Sequence, residues 1–325
     1  MLVVVVVTTL AVARPTLRAE STVVIEETFE TDPAARGWVA AGDATLFAWD
    51  AAAHNLAVTW DSSRPNSFFQ LPLRTFLTRD DDFRLEFDLT LEDLQSGTTP
   101  DKPYTFELAL GLLNTTEATA PGFLRGTGVD SPDLVEWNYF PDSGFGATVA
   151  AAVISHTNAW ATSFNTGDGL APGSTYRFVL DYRAARQALA VRMIVGGQTN
   201  ELQSATIQEP FGDFAVDALA ITSYSDAGQD PLYAGSILAH GRVDNVRLET
   251  AAPPLRRFVG GPVAGRWTAA FTGWLGWRYT LVRSTDLREW VPVGATVEGT
   301  GHRQALNDEA PPAVAAFYRV KAESN

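Results

Sequence analysis

From Tyr176 to Val195 the chain reads YRFVLDYRAARQALAVRMIV, and apolar and polar residues alternate with period two on either side of a short polar break. Tyr176, Phe178, Leu180 and Tyr182 share one side of an extended backbone, while Arg177, Asp181 and Arg183 take the other. After Ala184–Gln187 the alternation resumes with Leu189, Val191, Met193 and Val195. The pattern predicts an antiparallel hairpin with one buried face. A second clear case is Phe83-Arg-Leu-Glu-Phe-Asp-Leu-Thr-Leu-Glu92, whose odd members are apolar and even members polar. Further strands are predicted over Thr22–Phe29, Ala44–Trp49, Asn55–Trp60, Phe68–Leu73, Tyr104–Leu113, Leu134–Phe140, Thr148–Ser155, Ala215–Ser223 and Arg242–Glu249, separated by Gly, Pro, Asn and Asp clusters. No segment matches an amphipathic helix of three turns. The predicted fold class is all-β, a two-sheet antiparallel jelly-roll sandwich.

The stretch Ala251-Ala-Pro-Pro-Leu255 changes the character of the chain. Before Leu255 there are 15 basic and 32 acidic residues; from Leu255 onward there are 9 and 6, together with four of the nine tryptophans, Trp267, Trp274, Trp277 and Trp290. Strands near Trp267–Phe271, Arg278–Ser284, Val291–Val293 and Ala316–Val320 predict a small second β module. The expected organisation is a jelly roll over 20–250, a linker over 251–257 and the module over 258–325. The first 19 residues read as a signal peptide: an apolar run is followed by Ala11-Val-Ala13 as a cleavage site, with Ala19 as a later one. The expected location is therefore secreted or cell-surface. No other apolar run is long enough to span a bilayer.

Composition narrows the chemistry. The absence of cysteine excludes disulfides, thiolate metal sites and a cysteine nucleophile. A net charge of −14 argues against nucleic acid as a partner.

The hairpin 176–195, Phe214–Ser223 and the closing strand Val243-Asp-Asn-Val-Arg-Leu248 together resemble the concanavalin A-like jelly roll of laminin-G-like and lectin-like domains. Phe29-Glu30 and Gly37-Trp38, paired with Asp244-Asn245, are similar to the ends of galactose-binding-like carbohydrate modules. The tail, with Tyr279-Thr-Leu-Val-Arg-Ser284, Asp286-Leu287, Trp290-Val-Pro-Val-Gly294 and Ala316-Phe-Tyr-Arg-Val320, resembles a small β module at the C-termini of secreted environmental bacterial proteins. These resemblances imply a polysaccharide or glycan as partner, and a structural calcium ion tying the first and last strands. Glu30 and Asp244 would be its acidic ligands, contributing to the roughly six to eight oxygens that calcium takes. The C-terminal module would serve attachment or assembly.

Catalytic chemistry is poorly represented. On Leu134-Val-Glu-Trp-Asn-Tyr-Phe140, Glu136 and Asn138 lie on one face, about 6.6 Å apart, a spacing that suits an acid–base pair needing roughly 5–9.5 Å. The Glu-x-Asp-x-x-Glu pattern of laminarinase-like jelly-roll hydrolases would place Asp at 138 and a second Glu near 140 or 141, where this chain has Asn138, Phe140 and Pro141. Glu86, Asp88 and Glu92 share a face, which reads as a solvated one. Asp80–Asp82 reads as a turn, because the spacing of a calcium loop is missing. His54, His156, His240 and His302 are too scattered to bind one metal. Among the aromatics, Trp49, Trp60, Trp137 and Tyr139 are expected in the core. Trp160 and Phe164, in the polar segment Ser155–Gly169, are expected on a loop as a platform for a sugar face. The reading is an exported, non-catalytic, lectin-like protein that binds through Trp160, Glu136 and Asn138. A jelly-roll glycoside hydrolase or polysaccharide lyase, or a structural adhesion protein, are the alternatives.

Overall fold

The computed structural model describes residues 22–125, 132–167, 169–250, 255–274, 277–313 and 315–324. The expected signal segment lies outside them. In chain order the larger unit contains β1 (Thr22–Glu27), β2 (Val39–Ala41), β3 (Phe47–Asp50), β4 (Asn55–Asp61), β5 (Ser67–Thr78), β6 (Phe83–Ser96), β7 (Tyr104–Thr105), β8 (Leu108–Leu113) and β9 (Leu134–Phe140). It continues with β10 (Thr148–Ile154), β11 (Trp160–Thr166), β12 (Thr175–Arg183), β13 (Ala188–Val195), β14 (Gln198–Glu201), β15 (Ala205–Thr206), β16 (Ala215–Ser223) and β17 (Gly235–Thr250). A single α-helical turn, α1, spans Thr115–Ala118.

Two sheets form. The first runs β14-β13-β12-β6-β17-β4-β3, with β1, β7 and β15 pairing at its margins; the second runs β11-β10-β9-β8-β16-β5-β2. Apart from the short parallel β7–β17 contact the pairings are antiparallel, and sequence neighbours are interleaved between the sheets, as in a jelly roll. The hairpin read from Tyr176–Val195 is β12–β13, in register Phe178↔Met193, Leu180↔Val191 and Tyr182↔Leu189. All six of these side chains are buried. Each buried apolar side chain of this size stabilises the fold by about 1.5–3 kcal/mol. The hairpin turns through Ala184–Arg186, with Gln187 at positive φ and its side-chain amide donating to the Ala184 carbonyl at 2.6 Å.

The core lies between the sheets. Phe87 and Phe178, cross-strand partners in the first sheet, meet Trp137 of the second at ring-centroid distances of 5.5 and 4.6 Å. Trp60, Trp137 and Tyr139 are buried as the alternation predicts, and Trp49 packs half-buried with its indole N–H on the Phe29 carbonyl at 2.8 Å. The chain ends of this unit meet, since β1 pairs with the end of β17 in register Ile25↔Leu248 and Glu27↔Val246.

One expectation is corrected here. Ser155–Gly169 is not a loop throughout; Trp160–Thr166 is the edge strand of the second sheet. Its inward positions are Ala161, Ser163 and Asn165, small or polar residues that conceal the alternation. Asn165 is nonetheless fixed, donating to the Val149 carbonyl at 3.3 Å and accepting from the Gln203 N–H at 2.7 Å.

The smaller unit comprises most of the chain from 253 to 325. Strands β18 (Leu255–Val263), β19 (Arg266–Gly273) and β23 (Arg303–Asp308) form one sheet. Strands β20 (Trp277–Ser284), β21 (Val291–Pro292), β22 (Val297–Glu298) and β24 (Phe317–Ser324) form another. Ala269, Phe271, Tyr279, Leu281 and Leu306 make its core. Its aromatics have local roles: Trp267 stacks on Tyr318 at 4.0 Å, and the Arg319 guanidinium lies over Trp290 at 4.2 Å.

Candidate functional site

The outward face of the second sheet carries a groove of about 400 Å³. Alternation builds its floor. On β9, Val135, Trp137 and Tyr139 point to the core, which leaves Glu136, Asn138 and Phe140 on the outside. The outward residues of β10 are Thr148, Ala150, Ala152 and Ile154; the two alanines keep the middle of the floor low. On β11 the outward residues are Trp160, Thr162, Phe164 and Thr166, opposite Ile154, Ala152, Ala150 and Thr148 in register. Trp160 and Phe164 remain 57% and 54% exposed although they lie on a well-paired strand. The strand therefore holds large aromatic surface in water beside the groove.

The opposite wall is formed by Tyr104, Leu232 and Tyr233. They are brought together because Tyr104–Thr105 pairs in parallel with Gly235–Ser236. A Cβ at Gly235 would lie 2.0 Å from the Thr105 carbonyl oxygen, so this approach requires glycine. The β9–β10 turn, held by Ser143 and Gly146 at positive φ, carries the exposed Phe145 over one end.

Beneath the floor is a polar cluster. Glu136 is 1% exposed and does not line the groove; Arg125 covers it. Arg125 Nε lies 3.1 Å from Glu136 Oε2 and 3.6 Å from Glu107 Oε1, and Arg125 Nη2 donates to Asn138 Oδ1 at 3.4 Å. The Asn138 amide donates to Glu136 Oε2 at 3.4 Å, and the Tyr224 hydroxyl donates to Glu136 Oε1. Burial, and then the charge of Glu136, push the Tyr224 phenol well above its ordinary value, so it stays protonated as a donor. Two carboxyl groups thus share one guanidinium under the groove.

The sequence-predicted residues divide accordingly. Asn138 and Trp160 line the groove together; Glu136 supports it from below. Sequence reasoning missed Glu107, Arg125 and Tyr224. Glu107 sits just before β8 with one residue between it and the outward Ala109, a period-two signal that was available. Tyr224 directly follows β16 in phase with the outward Ala220 and Thr222, the same signal, whereas Arg125 comes from a connection, where no periodicity exists to read.

Glu30 and Asp244 occupy the β1–β17 end of the first sheet. The Glu30 carboxylate is exposed, with His54 Nδ1 at 3.4 Å. The Asp244 carboxyl is raised above its usual range by burial, opposed by the Asn245 N–H, with the charges of Asp88, Glu30 and Glu27 raising it further. Asp88 is itself committed to Arg177 at 2.7 Å and to Asn245 at 2.9 Å. Among the described residues no three His, Cys, Asp or Glu side chains converge as metal ligands, so a calcium ion here would need backbone or amide oxygens beside Glu30 and Asp244. The Glu86, Asp88 and Glu92 face is laced with ion pairs to Arg84, Arg177 and Arg242. In the turn 80–82, Asp81 accepts from the Thr78 N–H at 2.8 Å and Asp82 from the Ala184 N–H at 2.8 Å.

No family model matches the chain, and no curated protein does. Among solved structures it is similar to the legume lectin-like domain from Entamoeba histolytica, at 10% identity and TM-score 0.40, covering 68% of this chain and 97% of that one. It is similar to the Lotus tetragonolobus seed lectin at 13% and 0.42, covering 71% and 97%, and to a Bacillus licheniformis β-glucanase at 12% and 0.41, covering 69% and 96%. An alginate lyase, Aly36B, is similar at 10% and 0.39, covering 69% and 95%. No ligand is carried over from these likenesses, and the fold assignment rests on the strand order and register above.

Proposed function

We propose that the groove on the second sheet binds a glycan without cleaving it. The observation that carries the reading is the pair Trp160 and Phe164, two exposed aromatics presented on one strand beside a concave floor. Sugar rings offer apolar C–H faces to such rings, and Thr162 and Thr166 supply hydroxyl partners alongside them. Among the described residues the groove lining contains no carboxylate, and Glu136 is sealed under Arg125. A general acid must reach the bond that it protonates, so the geometry favours binding over hydrolysis. Export belongs to the same reading and is supported by the pattern of residues 1–19. Attachment through the C-terminal unit is supported by sequence resemblance alone.

The test is calorimetric titration of the protein and its Trp160→Ala variant with soluble polysaccharides. Losing one stacking platform removes about 1–2 kcal/mol, which is roughly a 5- to 30-fold loss of affinity. Unchanged affinity would remove Trp160 from the site, and shortening of the polymer would replace the binding reading with an enzymatic one.

A further inference from the structure

The groove also carries information about which glycan it takes, an inference that rests on the glycan reading above. Two features bear on it. The first is spacing: Trp160 and Phe164 are four positions apart on one face of β11, which puts them about 13 Å apart along the strand. That is further than one pyranose ring is wide, so a single sugar cannot cover both platforms. Thr162 stands between them and Thr166 follows, which gives β11 an alternating order of ring and hydroxyl along its outward edge.

The second feature is charge. Among the described residues Arg125 is the one charged side chain lining the groove, and its guanidinium is already held by Glu107, Glu136 and Asn138. An acidic sugar laid on the floor would bring a third carboxylate to a cation that two carboxyl groups already share. It would also approach a domain in which acidic residues outnumber basic ones 32 to 15 before Leu255.

We infer that the groove recognises a neutral oligosaccharide of several residues laid along β11, and discriminates against uronate chains. In this arrangement Arg125 is a positioning residue for the floor rather than a clamp for substrate carboxylates. The chain length comes from the aromatic pair, and the charge selection comes from the saturated guanidinium.

The experiment titrates the full-length protein with two ladders, neutral gluco-, manno- and galacto-oligosaccharides and uronate oligosaccharides, each from monomer to hexamer, at low and physiological salt. One neutral series is expected to bind at least about tenfold more tightly as the tetramer than as the monomer, and about tenfold more tightly than any uronate of the same length. Phe164→Ala, a change on the exposed face, should weaken the tetramer and shrink the gain in affinity from monomer to tetramer. Equal or tighter binding of a uronate, or monomer binding as tight as that of the tetramer, would overturn the inference while leaving glycan binding intact. Binding of neither ladder would overturn both.

Discussion

Replacing Arg125 with methionine isolates the buried cluster that supports the groove. Methionine keeps an apolar stem of similar reach but removes the guanidinium that Glu107 and Glu136 share, leaving Glu136 with Tyr224 and Asn138 as donors. Breaking a buried ion pair by removing one partner costs about 3–5 kcal/mol, because the remaining charge stays desolvated. Arg125 is 6% exposed, so solvent screening offers little relief. In a domain of roughly 150–250 residues each kcal/mol lowers Tm by about 2–4 °C, which gives an expected loss of about 6–20 °C. The assay is differential scanning calorimetry of wild type, Arg125→Met, Glu136→Gln and the double variant, read as a double-mutant cycle. A coupling above about 1 kcal/mol is expected for groups in this contact. An Arg125→Met variant that melts within about 2 °C of wild type, with additive effects in the cycle, would refute the argument that the cluster holds the floor together.

Two other outcomes follow from local geometry and charge. At Gly111, on β8, a Cβ would lie 2.3 Å from the Val135 carbonyl oxygen and 2.7 Å from Glu136 Cα, so Gly111→Ala should destabilise by about 1–3 kcal/mol in urea unfolding; an unchanged midpoint would contradict this close approach. The Asp244 carboxyl titrates higher folded than unfolded, so the folded state binds more protons in between, and stability falls as pH rises through that range. Asp244→Asn should therefore raise Tm at pH 7 and lose that advantage below the ordinary carboxylate value of 3.8; an unchanged Tm at pH 7 would contradict this, and a wild-type Tm that falls on adding a chelator would support calcium at Glu30 and Asp244.

Much of the fold was legible because one face of most strands is buried. Phe83–Leu91 and Tyr176–Val195 announce themselves through period-two alternation, and both are central in the first sheet. Legibility fails where the buried side is not apolar. The inward Ala161, Ser163 and Asn165 hide β11, and the single strand expected over Tyr104–Leu113 is in fact broken into Tyr104–Thr105 and Leu108–Leu113. The site was half legible for the same reason. Glu136 and Asn138 share a face by strand geometry, and Trp160 stood out as an aromatic among polar residues. Whether a carboxylate faces a groove or lies beneath it depends on what covers it, here Arg125, which arrives from a connection rather than from the sheet. Side chains supplied by connections have no spacing to read.

The central claim is that β11 presents a glycan-binding track, and the most direct measurement is retention on immobilised neutral polysaccharides by wild type and the double variant Trp160→Ala/Phe164→Ala. Wild type should be retained on at least one polymer and leave it undegraded, while the double variant elutes unretarded with its Tm unchanged, because both rings are exposed. Equal retention of the two proteins would contradict the claim, as would passage of wild type through every column.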